Sequence, residues 1–322
     1  MLNRVLAFYT KWFAVWVIVF GVVAYFWPGP FEVMGRYRRW LFALTMFGIG
    51  AVLSLDDFKR IGQKPVIVLI GSVAQFTIMP LGAFAVAKIF NLPAHMAVGL
   101  ILAGCMPGAM ASNVMSYIAR ADAAYSVSLT AVSTLLCPVI TPALTKLLAG
   151  AILPVEFWEM FWDVMFMVVV PLAVGFLVRG ILKEKIEKIR QIFPAMSVTF
   201  IIFICSVVIA LNRERFGMVT LGILVPVSVL NIYGMLAGYG VGTVFRMAQA
   251  RRRTLTIEIG MQNAGLGTML ALDNFGEKAA IPTAMFVFVC IITASIMVEV
   301  WRRTAVYQDS LLNPNKPPRS KC

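Results

Sequence analysis

Apolar runs about 20 residues long, separated by short polar stretches, follow one another along nearly the whole chain. A helix crossing a hydrocarbon core about 30 Å thick needs about 20 apolar residues. The pattern therefore predicts an all-α polytopic membrane protein with ten transmembrane helices, near 11–27, 40–55, 65–90, 94–118, 123–150, 157–182, 193–211, 217–246, 254–273 and 279–301. Several of these exceed what a perpendicular crossing requires, which predicts tilt or breaks. The first run has a basic start (Arg4, Lys11) like a signal peptide. It is followed by Trp27-Pro28-Gly29-Pro30 rather than a small-x-small cleavage site, so it reads as the first span.

The most charged connection, Lys183–Arg190, falls between spans 6 and 7 and near the middle of the chain. Five spans precede span 6 and five run from it to the end. A repeat with an odd number of spans places the second copy upside down, a common plan among secondary transporters. The predicted units are a first inverted repeat at 1–152 and a second at 153–305, followed by a polar tail at 306–322. The chain after Arg303 carries Pro314, Pro317 and Pro318 and is expected to be disordered.

Two spans break the apolar pattern. Thr256-Ile257-Glu258-Ile259-Gly260-Met261-Gln262-Asn263-Ala264-Gly265 places a carboxylate and two carboxamides inside span 9. A charge at mid-membrane costs about 2.5–3.5 kcal/mol on insertion scales, so something must offset it. No Lys or Arg is expected at comparable depth. The Gly-rich second half would let the backbone open and present carbonyls beside Glu258. Carbonyl, amide and carboxylate oxygens are the shell a desolvated alkali cation requires. Span 4 carries the matching interruption, Cys105-Met106-Pro107-Gly108-Ala109-Met110-Ala111-Ser112-Asn113, and Asn113 and Asn263 are 150 residues apart. Matched interrupted spans in two halves point to a binding site at the midplane. Two kinked helices with incidental polar residues are the plainer alternative.

Ser126 and Thr130 are i, i+4 and share a helix face in span 5. Gln75 in span 3 needs a partner, though helix packing alone could supply one. Gly48 and Gly50, and Gly234, Gly238, Gly240 and Gly242, are expected at close helix contacts. Pro80, Pro138, Pro142, Pro171, Pro226 and Pro282 are expected at ordinary kinks.

Composition agrees with the pattern. The chain of 322 residues is 60% apolar and 13% charged, with mean hydropathy +0.86, where soluble proteins carry about 25% charged residues. The net charge of +13 does not indicate nucleic acid, because the cations lie between spans. With the N-terminus inside, the inner segments hold most of the Lys and Arg, which predicts both termini in the cytoplasm. Cys105, Cys137, Cys205, Cys290 and Cys322 have no metal-ligand spacing, and the single histidine, His95, sits at a span entrance. Beyond Glu258 no acid/base or nucleophile pair is embedded, which argues against a membrane enzyme.

These residues resemble the bile acid:sodium symporter family, and specifically its bacterial members. The resemblance runs from span 1 to span 10. It is carried by Ala111-Ser112-Asn113-Val114-Met115 with Tyr117-Ile118-Ala119-Arg120, by Ser126 through Thr134, and by Thr254 through Asn263. Met46-Phe47-Gly48 with Gly50, and Asp57-Phe58, also match. It implies a panel domain (spans 1, 2, 6, 7) and a core domain (spans 3–5, 8–10), with broken spans 4 and 9 crossing. It also implies two sodium ions. Ser112, Asn113, Ser126, Thr130 and Glu258 would hold the first. Gln75, Glu258, Gln262 and the carbonyls of Ile259 and Met261 would hold the second. The substrate would lie beside Asn113 and Asn263. Relatives carry Gly-Gly-Thr where this chain has Gly108-Ala109-Met110, His-Asn where it has Cys290 and Ile291, and His-Asn-Gly where it has Asn231-Ile232-Tyr233. The substrate contacts, Cys290 among them, therefore differ from those of a bile acid carrier.

The reading is a sodium-coupled symporter that imports a small organic anion by alternating access. It is expected in the bacterial inner membrane, with the lipid bilayer around it and no obligate protein partner evident. The alternatives are an arsenite-type exporter using Cys105, a proton-coupled exporter, and a sensor that binds without transporting.

Overall fold

A computed structural model describes Tyr9, residues 12–54, Gly62, residues 65–181 and residues 192–312. Arg4, Lys11, Asp57-Phe58, the inner-loop cations Lys59, Arg60 and Lys64, the Lys183–Arg190 segment and the tail from Asn313 lie outside the described residues. What is described is helical, with one isolated backbone bridge between Gly108 and Gln262.

The helices follow the apolar runs. In chain order they are α1 (Phe13–Phe26), α2 (Gly29–Gly35), α3 (Arg38–Val52), α4 (Pro65–Ile89), α5 (Ala94–Gly104), α6 (Ala111–Ile118) and α7 (Ala123–Ala149). Then come α8 (Phe157–Val164), α9 (Val170–Ile181), α10 (Ile192–Leu211), α11 (Phe216–Val244), α12 (Gln249–Gly260), α13 (Ala264–Asn274) and α14 (Glu277–Leu312). A π-turn at Met165–Val169 joins α8 to α9. It sits just ahead of Pro171, whose missing N–H and bulky ring disrupt a regular α ladder. Pro80, Pro138, Pro142, Pro226 and Pro282 all lie inside helices.

Among the described residues five helical stretches are long and apolar enough to cross a membrane: Pro65–Ile89, Ala123–Ala149, Phe157–Ile181, Gly222–Val244 and Glu277–Trp301. A sixth is added if the bent pair Val15–Phe26 and Gly29–Gly35 counts as one. The chain is a multi-pass membrane protein on this evidence.

One element adds to the expectations and one corrects them. The Trp27-Pro28-Gly29-Pro30 stretch starts a short helix, α2, bent by 106° from α1; proline suits the first turn of a helix, where its missing N–H is not needed. The chain after Arg303 is not irregular from there on, because α14 continues to Leu312.

The helices pack as two sets. α1 and α2 lie on α10, and α3 lies on α9 and α10. In the other set α4 packs on α5, α7 and α11, α11 on α12 and α14, and α14 on α5 and α13. The sets meet where α8 touches α7 and α13, and where α10 touches α13 and α14. Charge reinforces that meeting. Asp273, at the end of α13, accepts from Arg38 Nε (3.1 Å), Arg38 Nη2 and Arg39 Nε (2.8 Å). Arg39 also pairs with Asp163 of α8 (3.4 Å), to which Asn274 donates (3.3 Å). At the opposite ends of the helices Asp122 caps α7 and pairs with Arg251 of α12 (3.2 Å).

Close approach of α3 and α9 depends on glycine at both sides. A Cβ on Gly50 would stand 2.0 Å from the Leu172 carbonyl oxygen, and one on Gly175 would stand 2.0 Å from that of Phe47. Gly234, Gly238 and Gly242 also meet neighbours, as expected for close helix contacts. Gly240 does not, since a Cβ there meets nothing within 4 Å. Gly175→Val is expected to force the two helices apart and cost about 1–3 kcal/mol. Gly240→Ala is expected to leave stability unchanged. Melting temperatures of the two purified variants test this.

Candidate functional site

Two breaks build the site. α5 stops at Gly104 because Pro107 has no N–H and restricts the residue before it. α12 stops at Gly260, and Met261 is extended (φ −108°, ψ 102°). Each break leaves backbone groups without a helical partner, which a membrane interior does not tolerate. The two breaks satisfy each other. Ala109 N–H donates to Met261 O (3.0 Å), and Asn263 N–H donates to Pro107 O (2.8 Å). The helices then resume, α6 from Ala111 and α13 from Ala264. Asn263 caps α13 by accepting from Leu266 N–H (3.2 Å).

Glu258 stands one turn before the second break and is 2% exposed. Ser112 Oγ of α6 donates to Glu258 Oε1 (2.5 Å), and Ser126 Oγ of α7 donates to the same oxygen. Thr130 Oγ1 donates to Oε2 (3.0 Å). The Asn113 amide oxygen lies 2.9 Å from Ser126 Oγ and 3.3 Å from Thr130 Oγ1. The five side chains expected at the first cation position therefore converge on one spot, from α6, α7 and α12. Hydrogen bonds to a charged group stabilise by about 1.5–3 kcal/mol each, so three hydroxyls are enough to offset the carboxylate's insertion cost.

The hydrogens do not suffice for the oxygens. Each of the three hydroxyls has one hydrogen, and each lies against two acceptors: Ser112 against Glu258 and Ala109 O (2.6 Å), Ser126 and Thr130 against Glu258 and Asn113. A site with more close oxygens than hydrogens has the chemistry of a hard-cation shell. The donor set fits an alkali ion.

The second expected set is partly assembled. Gln75 Nε2 donates to Gln262 Oε1 (2.6 Å), and Gln262 Nε2 donates to Ile259 O (2.8 Å). The Met261 carbonyl is taken by Ala109, and Glu258 makes its hydrogen bonds to the first set. The carbonyls opened by the break are thus largely paired rather than free.

The expected substrate residues are spread out. Asn113 and Asn263 are both half-buried and flank the crossing. Cys290 lies in α14 with its thiol donating to Val287 O (3.3 Å) and belongs to neither cluster. Cys105 is fully buried, and its carbonyl accepts from Thr141 Oγ1 (2.7 Å). His95 is exposed, with Nδ1 3.2 Å from Phe275 O, an end-of-helix contact as expected. Ser133 was not singled out by the sequence pattern. Its Oγ accepts from Gly108 N–H (3.3 Å) and fastens the first break to α7. Its only signal was proximity to Thr130 on the same helix.

Gly108 is required by this geometry. A Cβ there would lie 2.7 Å from Glu258 Oε2. Gly108→Ala is expected to lower the melting temperature, with an overpacking cost of about 1–3 kcal/mol. Glu258→Asp draws the carboxylate back, so the double variant is expected to be more stable than the sum of the two single changes predicts. A double-mutant cycle on melting measures this coupling.

Comparison with known proteins identifies the family. The profile of the Sodium Bile acid symporter family matches residues 40–218. The chain is 37% identical over 303 residues to a Bacillus subtilis protein named "Uncharacterized sodium-dependent transporter YocS", covering 94% of each chain. It is 33% identical over 298 residues to the Arabidopsis thaliana protein named "Probable sodium/metabolite cotransporter BASS1, chloroplastic", covering 92% of this chain and 74% of that one. A rice protein named "Probable sodium/metabolite cotransporter BASS2, chloroplastic" is 32% identical over 305 residues, covering 93% and 72%. These are transporters, not enzymes.

Proposed function

The chain belongs to the Sodium Bile acid symporter family, and on that premise we propose that it imports a small organic anion together with sodium, by alternating access. The observation that carries this is Glu258: a carboxylate buried where two helix breaks meet, ringed by hydroxyl and amide oxygens with too few hydrogens. Sodium would be held first by Ser112, Asn113, Ser126, Thr130 and Glu258. A second ion would be held by Gln75, Gln262, Glu258 and the carbonyls of Ile259 and Met261. Sodium is cargo here, and its charge would relieve the crowding of oxygens. The anion would sit beside Asn113 and Asn263, where α6 and α13 begin. The N–H groups and positive dipole ends of resumed helices favour an anionic group.

The membrane arrangement belongs to the same proposal. Ten segments cross as two inverted five-helix repeats, 1–152 and 153–305, in an inner membrane with both termini cytoplasmic. The two packing sets correspond to a panel (spans 1, 2, 6, 7) and a core (spans 3–5, 8–10). The helix packing and the paired breaks support this arrangement. The arsenite-type reading needs an accessible Cys105 thiol, and that residue is 0% exposed.

Two experiments test the proposal. The melting temperature of the purified protein is expected to rise saturably with sodium but not with potassium, and Glu258→Ala is expected to abolish the rise. A ligand at 100 times its dissociation constant stabilises by about 2.7 kcal/mol. Equal curves in the two salts would defeat sodium coupling. In sealed vesicles, two sodium ions with a monoanion carry one net charge inward, so an inside-negative potential should add a driving force of about 2.3 kcal/mol per 100 mV. Uptake that ignores a valinomycin-set potential would rule out that stoichiometry.

A further inference from the structure

The carbonyl of Gly260 is orphaned by the second break. It is the last residue of α12, and the N–H that would reach it in a continued helix, that of Ala264, donates instead to Gln262 O (2.7 Å). Asn231 of α11 takes its place. Asn231 is 0% exposed, and its Nδ2 donates to Gly260 O at 2.8 Å. Asn231 is itself oriented from α14: Thr293 Oγ1 lies 2.6 Å from Asn231 Oδ1, while also lying 2.8 Å from Val289 O in its own helix. A contact to Oδ1 selects which end of the carboxamide faces Gly260. One turn further along α11, Gly234 lets the helix approach the Ile259 carbonyl, which a Cβ would meet at 3.1 Å.

The first break is fastened in the same way. Gln75 of α4 donates to Met106 O (3.4 Å), and Thr141 of α7 donates to Cys105 O (2.7 Å). Each break is thus held by a buried carboxamide from the helix before it; a threonine from the helix after it bonds the backbone directly at the first break (Thr141) and orients the carboxamide at the second (Thr293). Gln75 and Asn231 stand about one repeat apart, as do Thr141 and Thr293. Gln75 also reaches the Gln262 side chain, whereas Asn231 gives its Nδ2 to the backbone of the break and its Oδ1 to Thr293.

We propose that Asn231, oriented by Thr293, is a positioning residue for the coupled cation. It fixes the turn from Ile259 to Gln262 so that this backbone and the Gln262 amide face Gln75 at the second ion position. This rests on the sodium reading above. Asn231 touches no ion; it acts through Gly260. Loss of an outer-shell partner typically costs 10–100-fold in metal affinity.

The test is a sodium titration of melting temperature and of ²²Na⁺ binding on the purified full chain, at ionic strength held constant with potassium. Wild type, Asn231→Leu, Thr293→Val and Thr293→Ser are compared. Asn231→Leu is expected to raise the sodium midpoint about tenfold and to lower the Hill coefficient. Thr293→Val is expected to shift both in the same direction by less, and Thr293→Ser, which keeps the hydroxyl, to behave as wild type. Variants that melt lower in potassium yet keep the wild-type midpoint and Hill coefficient overturn the proposal and leave Asn231 a packing residue. If Asn231→Leu does not fold, Thr293→Val decides on the same readouts. A wild type without any sodium response removes the cation reading and this inference with it, whereas a responsive wild type with indifferent variants removes this inference alone.

Discussion

The structure depends on a reciprocal pair of backbone hydrogen bonds: Ala109 to Met261, and Asn263 to Pro107. In hydrocarbon an unpaired N–H or C=O costs several kcal/mol. A single broken helix would carry that cost alone. Two breaks placed against each other pair their own open groups, so neither is stable without its partner. This constraint explains why the interruptions come as a matched pair, one in each half of the chain. It also explains why their surroundings are so specific. The carbonyls left over after the mutual pairing, at Cys105, Met106 and Gly260, must each find a side chain, and Thr141, Gln75 and Asn231 supply it.

Much of this was legible in the sequence because it concerns period and composition. The apolar runs located the helices, and Pro107 and the Gly260–Gly265 stretch located the breaks to within a few residues. Embedded Glu258, Ser112, Ser126, Thr130, Gln75 and Gln262 stood out because polar groups among apolar neighbours require a reason. What escaped was information carried by contact. α2 fell between the first two apolar runs, where the pattern assigned no helix, yet proline fits a helix's first turn. Ser133 and Thr141 looked like any Ser or Thr bonded to its own helix, and only the fold shows that they fasten the first break. Asn231 was noticed as a departure from a motif, but its bond to Gly260 spans two helices and leaves no local trace. Gly240 was grouped with its neighbours although it faces open space; helical periodicity alone does not say which glycine of a row meets a partner.

Charge follows a separate logic at the two ends of the helices. Asp273 is almost fully buried between Arg38 and Arg39, and it ties the end of α13 to α3 while Asp163 adds α8. Asp122 and Arg251 tie α7 to α12 at the other end. The first cluster joins the two packing sets, and the second lies within one of them. Relative motion of the sets would therefore break the Asp273 cluster and leave the Asp122 pair intact. Asp273 is the buried member, and removing its arginines would strand that charge, which is far more costly than the net value of the pair.

The breaks and the carboxylate make one device. Glu258 lies on α12 and its hydroxyl partners lie on α6 and α7; α12 ends and α6 begins at the crossing, and α7 runs past it. A cation among these oxygens would pull the two broken rods together through the same atoms that the backbone pairing already aligns. Ion occupancy and the shape of the crossing are then one equilibrium. A ligand shifts a conformational equilibrium only by its differential affinity for the two states, and separating the rods would supply that difference by dispersing the oxygens. An anion bound beside Asn113 and Asn263 would feel that shape directly, since Asn113 belongs to the cation cluster and Asn263 to the paired backbone. Coupling of this kind requires no pathway between distant sites, only that the two ligands share the walls of one crossing.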